Sequence, residues 1–236
     1  MIVEKTLDSI ASNYKASGGF ERVITRYKTK IILKLCKGDS ALDLGCGIGM
    51  ITKELSGIFK RVVAVDGSAK KIQIAKSRVK ENNVVFENKL FEDFEPNIKF
   101  DTIIVSNVLE HVNNPVLLLK RIRNWLNSGG IVVATVPNAK AFHKKIGKSM
   151  GIIKDLYELT KEDFKKGHKR IYDRNLLERD FKESGFKILE SGGVFFKPFP
   201  HRQMERLDPK IFDALYEIGK ELPDYCSSVY VCASKV

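Results

Sequence analysis

Apolar positions along this chain alternate between short continuous runs and stretches with helical spacing. Residues 7–35 read as two helical stretches broken at Ser17-Gly18-Gly19. In the second, Val23, Ile24, Tyr27, Ile31, Ile32 and Leu35 follow the i, i+3/i+4, i+7 spacing of a buried face. Ala41-Leu42-Asp43-Leu44 then predicts a strand, 50–59 a helix, and 61–66 a β-branched strand ending in an acid. A polar helix over 69–82 precedes a strand near 84–86, and residues 100–106 are apolar enough for a strand buried on both faces. An amphipathic helix over 115–126 is stopped by Asn127-Ser128-Gly129-Gly130, and the strand 131–136 is closed by Pro137. A helix over 176–184 ends at Gly185, a strand follows over 186–191, and the last strand is 228–234.

Strands alternating with helices of this length predict an α/β fold: a doubly wound, mostly parallel, seven-stranded sheet with helices on both faces. The whole of 1–236 reads as one domain, with N-terminal helices in 1–36. Two stretches break the rhythm, 138–170 after strand five and 192–226 between strands six and seven. Insertions beside the carboxyl ends of strands are where such proteins place substrate lids.

The sharpest local signal is Asp43-Leu44-Gly45-Cys46-Gly47-Ile48-Gly49, at a strand-to-helix junction. Glycines there let the backbone turn tightly and let a ligand approach. Asp66 ends the next strand 23 residues after Asp43, close to the ~20-residue spacing at which a carboxylate grips a ribose. A dinucleotide site would want GxGxxG, but Gly45, Gly47 and Gly49 are followed by Met50, and no GxxxxGK[ST] loop exists for a nucleoside triphosphate.

Composition narrows the class. Hydrophobic residues make up 43% and charged ones 30%, as in an ordinary globular protein. No apolar run approaches the roughly 20 residues that span a bilayer, and the acids Glu4 and Asp8 argue against a signal peptide, so the expected location is the cytoplasm. Cys36, Cys46, Cys226 and Cys232 form no CxxC pair, and no histidine stands at ligand spacing from them, so no metal is expected. The net charge of +12 admits nucleic acid, lipid headgroups or a phosphorylated substrate. Half of that excess lies between Lys140 and Arg170, with 10 Lys/Arg against 4 Asp/Glu.

Residues 43–49 resemble the first motif of class I S-adenosylmethionine-dependent methyltransferases, and Asp66 resembles their ribose-binding acid. Phe91-Glu92-Asp93-Phe94 is similar to the adenine-contacting turn after strand three. Residues 100–106 with Val108-Leu109-Glu110-His111-Val112 resemble strand four and its turn, and 125–130 the loop before strand five. The resemblance covers about 30–137 and implies S-adenosyl-L-methionine as cofactor. It implies Asp43, Gly45, Cys46, Gly47, Gly49, Asp66, Gly67, Phe91, Glu92, Asp93, Ser106 and Asn107 as its contacts. Leu90 stands where many relatives carry Asp; it can pack on adenine but cannot hydrogen-bond it, which leaves that to the Phe91 backbone and Glu92 or Asp93.

Transfer from a sulfonium asks the protein to align acceptor and methyl and to exclude water, with a base only where the acceptor must lose a proton. His143, His111 and His168 are the candidates, with His201 a fourth. In quinone-making O-methyltransferases a related Glu-His pair lies near the substrate with an acid three residues earlier; Asn107 replaces that acid here. Residues 136–138, 167–168 and 197–198 also resemble methyltransferases associated with sugar or cell-surface polysaccharide synthesis. The expected acceptor is therefore a small polar molecule, a sugar, nucleotide-sugar or related metabolite, whose anionic or phosphorylated group would suit the basic lid. O- and N-acceptors both stay open. The alternatives are an RNA methyltransferase, disfavoured because no Asn-Pro-Pro-Tyr motif or RNA-binding module is present, and a non-catalytic cofactor-binding module.

Overall fold

In the computed structural model, which describes residues 7–8 and 19–235, the seven strands form one sheet in the order β3-β2-β1-β4-β5-β7-β6. They are β1 (Ser40–Leu44), β2 (Arg61–Asp66), β3 (Val84–Asn88), β4 (Phe100–Ser106), β5 (Leu126–Pro137), β6 (Phe186–Gly193) and β7 (Ser228–Lys235). All neighbouring pairs from β3 to β5 are parallel; β7 runs antiparallel to both β5 and β6. The winding reverses between β1 and β4, and the crevice at such a switch point opens beyond the strands' carboxyl ends.

The period-2 pattern sorts the strand residues onto two faces. Leu42, Leu44, Ile103, Val105, Val132 and Ala134 pack toward α4 (Pro115–Trp125) and α7 (Arg174–Glu183). Ala41, Val62, Ile104 and Val133 pack the other way, with Ile32 of α1 (Phe20–Leu35) and Leu55 of α2 (Met50–Ser56). On that side α3 (Ala69–Arg78) also buries Ile72 against Cys46 and Ala64. Burying each aliphatic side chain contributes roughly 1.5–3 kcal/mol, so β1 and β4 form a stiff base for the loops at their ends.

The first helical stretch expected before Ser17 lies largely outside the described residues; α1 is the second. Three boundaries differ from the sequence reading. The helix expected over 69–82 stops at Arg78, because Val79 turns extended. The one expected over 50–59 stops at Ser56, with Gly57 closing it. Residues 127–130 are not a loop but the start of β5: Leu126 pairs with Phe100, and the register then jumps so that Ile131 faces Thr102.

The insertions behave differently. Residues 138–170 carry α5 (Phe142–Ser149) and α6 (Lys161–Lys166), neither of which has a fully buried residue, although His143 and Lys144 of α5 are half-buried. Residues 192–226 carry α8 (His201–Met204) and α9 (Lys210–Glu221). Phe195, Met204, Phe212, Leu215 and Tyr216 join Phe20, Ile24 and Tyr27 of α1 in a second core. The Tyr27 hydroxyl donates to Asp213 (2.8 Å), and its ring stacks on Tyr216 at 4.8 Å. This second insertion is fastened to α1.

Candidate active site

The turn after β1 is shaped by backbone geometry. The amides of Gly45 and Cys46 both donate to the carbonyl of Val65 (2.8 and 3.0 Å), which ties the loop to the end of β2. Gly45, Gly47 and Gly49 take φ of 82°, 54° and 76°, a region where L side chains are strained. At Gly45 a Cβ would lie 2.4 Å from Val108, whereas at Gly47 it would meet nothing within 4 Å. Gly45 is thus fixed by packing, and Gly47 borders open space that can take a ligand.

Asp66 closes the other side. One carboxylate oxygen accepts from the Gly47 amide (3.0 Å) and the other from the Ser68 amide (2.9 Å). The residue is only 8% exposed, not the exposed strand-end acid that its position suggests. Gly67 follows, with Leu7 and Leu90 against it, and the Ser68 hydroxyl donates to Asp8. Asp43 lies beneath the loop, buried, accepting from the Thr52 hydroxyl at 2.6 Å; burial pushes its carboxyl up to about 6. Cys46 is buried and its thiol is pushed well up, so it is a packing residue without nucleophilic character.

In the turn after β3 the Phe91 ring lies over Gly45, while Glu92 and Asp93 are exposed. The Phe91 carbonyl is already engaged: Arg121 donates to it (2.7 Å), to the Phe94 carbonyl (2.9 Å) and to Glu95 (2.8 Å).

At the end of β4, the Ser106 hydroxyl pairs with that of Thr135 (2.9 Å). Asn107 has φ 55°, the single non-glycine residue among those described with positive φ. Such strain concentrates at functional positions. Its amide donates to the Thr135 carbonyl (2.8 Å), and its side-chain oxygen accepts from Lys28 Nζ (3.0 Å).

Beyond Asn107 the fold gathers a titratable group from separate segments. Glu110 is 1% exposed, and neither carboxylate oxygen has a hydrogen-bond partner among the described residues. Burial raises Glu110 and lowers Lys28, and the attraction between the two opposes both shifts. His111 packs edge-on against His168, ring centroids 4.8 Å apart. Its Nδ1 must carry the proton, because its partner at 3.2 Å is the Gly167 carbonyl; Nε2 is left as the basic nitrogen. Burial holds its pKa down at about 4. His168 is oriented by Asp163 (Nδ1–Oδ1 2.9 Å), itself fixed by a capping box with Thr160 at the start of α6.

His143, on α5, makes no hydrogen bond or ring contact with this pair among the described residues. Its amide donates to the Lys197 carbonyl (3.3 Å), its Nδ1 is buried without a partner, and burial with Lys197 and Lys144 nearby lowers its pKa to about 3. A histidine so hard to protonate is a weak base at neutral pH. His201 lies against Phe20 and Glu21 of α1.

The sequence reading named neither Lys28 nor Glu110 among the site residues. Lys28 was detectable: it stands four residues after Ile24 and four before Ile32, a charge on an apolar helical stripe. Glu110 was masked by its place in an otherwise apolar turn.

A doubly wound sheet with a left-handed glycine loop at its switch point and a carboxylate bonded to that loop is an arrangement suited to a nucleoside ligand. The chain belongs to the methyltransferase-domain family, whose profile matches residues 17–191. It has the Rossmann-like fold of class I S-adenosylmethionine-dependent methyltransferases, as its sequence implied. It is similar to the ubiquinone biosynthesis O-methyltransferase of Nitrobacter winogradskyi, 28% identical over 72% of this chain and 65% of that protein, so the match spans just under two-thirds of the relative's length. Among solved structures, it is similar to the N-methyltransferase NodS from Bradyrhizobium japonicum bound to S-adenosyl-l-homocysteine, with TM-score 0.62 and 14% identity over 98% of this chain and 96% of that one. The [4+2]-cyclase SpnF is comparable, with TM-score 0.66 and 18% identity over 99% and 93%. At such identities the likeness concerns the fold, which an N-methyltransferase and a cyclase share.

Proposed function

We propose that this methyltransferase acts on a hydroxyl of a small polar acceptor, with Glu110 taking the hydroxyl proton and His111 and His168 framing the acceptor. The observation that carries this reading is Glu110 itself, a buried carboxylate without a hydrogen-bond partner at the end of β4, whose burial raises its pKa toward neutrality. A base poised near the working pH suits a hydroxyl. Only an amine already neutral at the working pH attacks through its free lone pair without such a group. The O-methyltransferase name of the Nitrobacter relative supports the same choice.

The fit of S-adenosylmethionine rests on the open space before Gly47 and on Asp66, whose carboxylate oxygens keep lone pairs toward the ribose. Bound there, the cofactor supplies an electrophilic methyl on a positively charged sulfur. In this reading Gly45 and Gly47 admit the methionine portion, and Phe91, Gly67 and Leu90 flank the adenine with Glu92 or Asp93 toward its amine. Ser106 and Asn107 turn backbone carbonyls toward the ammonium. Asp43 holds the loop through Thr52. Lys28 stabilises the Glu110 carboxylate before proton uptake, and the insertion 138–170 excludes water. A sugar or nucleotide-sugar acceptor, suggested by the sequence, agrees with the polar lining. RNA is disfavoured because Lys28 and Lys197, at 4% and 6% exposure, lie out of reach of a polymer backbone. Among the described residues no helix is long and apolar enough to cross a membrane.

A second reading has its own observation. One ligand atom each from Glu110, His111 and His168 lie within 4.8 Å of one another, so a divalent cation could be held there, with Gly167 and Asp163 orienting the two rings. Lys28 already supplies a positive charge beside Glu110, which favours the metal-free version. The test is an acceptor screen with methyl-labelled S-adenosylmethionine read by mass spectrometry, run with and without chelator. Expected is transfer that survives chelation and falls roughly 10²–10⁴-fold in Glu110→Gln. Transfer lost on chelation and restored by a divalent ion selects the cation reading, and full activity of Glu110→Gln removes both.

A further inference from the structure

Buried ammonium groups are ordinarily paired with carboxylates, because desolvating an unpaired charge is costly. Around the Glu110–His111–His168 group this rule is broken repeatedly. Lys197 is 6% exposed and Lys28 4% exposed. Burial pushes Lys197 down to about 8 and lowers Lys144. Lys28 and Lys197 make no ion pair among the described residues, and neither do the half-buried Lys144 and the exposed Lys166. Two half-exposed or exposed lid lysines do have partners: Lys140 meets Asp173 at 2.6 Å, and Lys145 lies 4.6 Å from the Tyr225 ring.

The unpaired lysines converge from four segments. Lys166 precedes the Gly167 carbonyl that holds His111, and its charge is felt by Lys28, Lys144 and Lys197. Lys197 is joined through its backbone to His143, beside Lys144. Lys28 reaches Asn107 at the end of β4. The acids near them are otherwise engaged: Glu21 faces His201 at 3.8 Å, and Asp163 holds Thr160 and His168. Glu21, Asp163 and Glu110 act on Lys28, Lys144 and Lys197 only from beyond ion-pair distance, so no carboxylate is seated on these amines.

We propose that Lys28, Lys144, Lys166 and Lys197 form a subsite for a phosphate or diphosphate group on the methyl acceptor, which holds the acceptor's hydroxyl against Glu110. This deepens the hydroxyl-acceptor reading above and rests on it. Point-charge amines from several directions suit a tetrahedral polyanion, whereas a carboxylate would be met by the planar fork of an arginine. The depth of Lys28 and Lys197 points to a small molecule.

The test uses the full chain saturated with S-adenosylhomocysteine and titrated by calorimetry with inorganic phosphate and, separately, inorganic pyrophosphate. Expected is saturable binding of at least one probe at one site per chain; the tighter probe shows whether the acceptor carries one phosphate or two. Binding should weaken at least tenfold in Lys197→Met and in Lys144→Met and vanish in the double variant, while Lys187→Met on the exposed side of β6 binds like wild type. Melting temperature guards against misfolding: removing a desolvated charge should raise it, and pyrophosphate should raise it in wild type and not in the double variant. Saturation with S-adenosylhomocysteine but no anion binding overturns the subsite and leaves the methyltransferase reading standing. Failure to bind S-adenosylhomocysteine strikes the underlying reading instead. Anion binding unchanged in the double variant, or a short RNA bound with the same lysine dependence, also overturns the subsite.

Discussion

Replacing Asp66 by alanine removes more than a ribose contact. Its two carboxylate oxygens hold the amides of Gly47 and Ser68 at 3.0 and 2.9 Å. The first sets the glycine loop, and the second lies at the N-terminus of α3, where Ser68 is the cap. At 8% exposure there is little water to replace these bonds. Hydrogen bonds to a charged acceptor contribute roughly 1.5–3 kcal/mol each, so Asp66→Ala should lower stability by about 2–4 kcal/mol, after relaxation and partial rehydration of the amides. Cofactor binding should weaken by a further ~2–4 kcal/mol as the ribose hydroxyls lose their acceptor, roughly a 30- to 1,000-fold rise in Kd. Asp66→Asn separates the two effects, since its amide oxygen can serve one backbone donor while the negative charge at the ribose is gone. Urea unfolding reads the first and calorimetric titration with S-adenosylhomocysteine the second. A folded Asp66→Ala protein with wild-type Kd would refute the assignment of Asp66, and wild-type stability would refute its role in the loop.

Gly47→Val should fold with a penalty on the order of 1–2 kcal/mol for a β-branched residue at positive φ, yet lose S-adenosylhomocysteine binding, because its side chain fills open space rather than a packed contact; normal binding would make the loop a mere connector. Asp43, raised to about 6, holds a proton in the folded chain that the unfolded chain releases from about pH 4, so its contribution to stability falls by about 3 kcal/mol as pH rises from 4 to 6. Asp43→Asn should lack that decline in urea titrations across the window, and an unaltered slope would show that Asp43 titrates normally. His111 and His143, held down to about 4 and about 3, act in the opposite direction. The unfolded chain takes up protons below about pH 6.5 that these rings refuse, so each costs at most ~1.4 kcal/mol of stability per pH unit on acidification. His143→Leu should soften that loss, whereas an unchanged pH profile would mean that the ring protonates freely in the folded chain. For the same reason no rise in turnover near pH 6.5 is expected from His143.

The fold was legible because its signals are local. Buried parallel strands are continuous apolar runs, and Gly45-Cys46-Gly47-Ile48-Gly49 with Asp66 marks the switch point. The start of β5 was not legible, since Asn127-Ser128-Gly129-Gly130 has turn chemistry and pairs only through a register jump set by Phe100. The acceptor side was harder still. Glu110 and His168 are far apart in sequence and meet only in the folded chain, whereas proximity to strand five singled out His143, whose amide the fold bonds to the Lys197 carbonyl. A place at a strand end does not reveal that Asp66 is buried; the structure shows the Gly47 and Ser68 amides closing over it.

The most direct measurement is a crystal structure of the chain with S-adenosylhomocysteine bound. Expected are ribose hydroxyls within hydrogen-bonding distance of Asp66, the methionine portion against Gly45 and Gly47, and the sulfur directed toward Glu110, His111 and His168. A ligand bound away from the glycine loop, or a sulfur directed away from Glu110, would contradict the assignment of this site to methyl transfer.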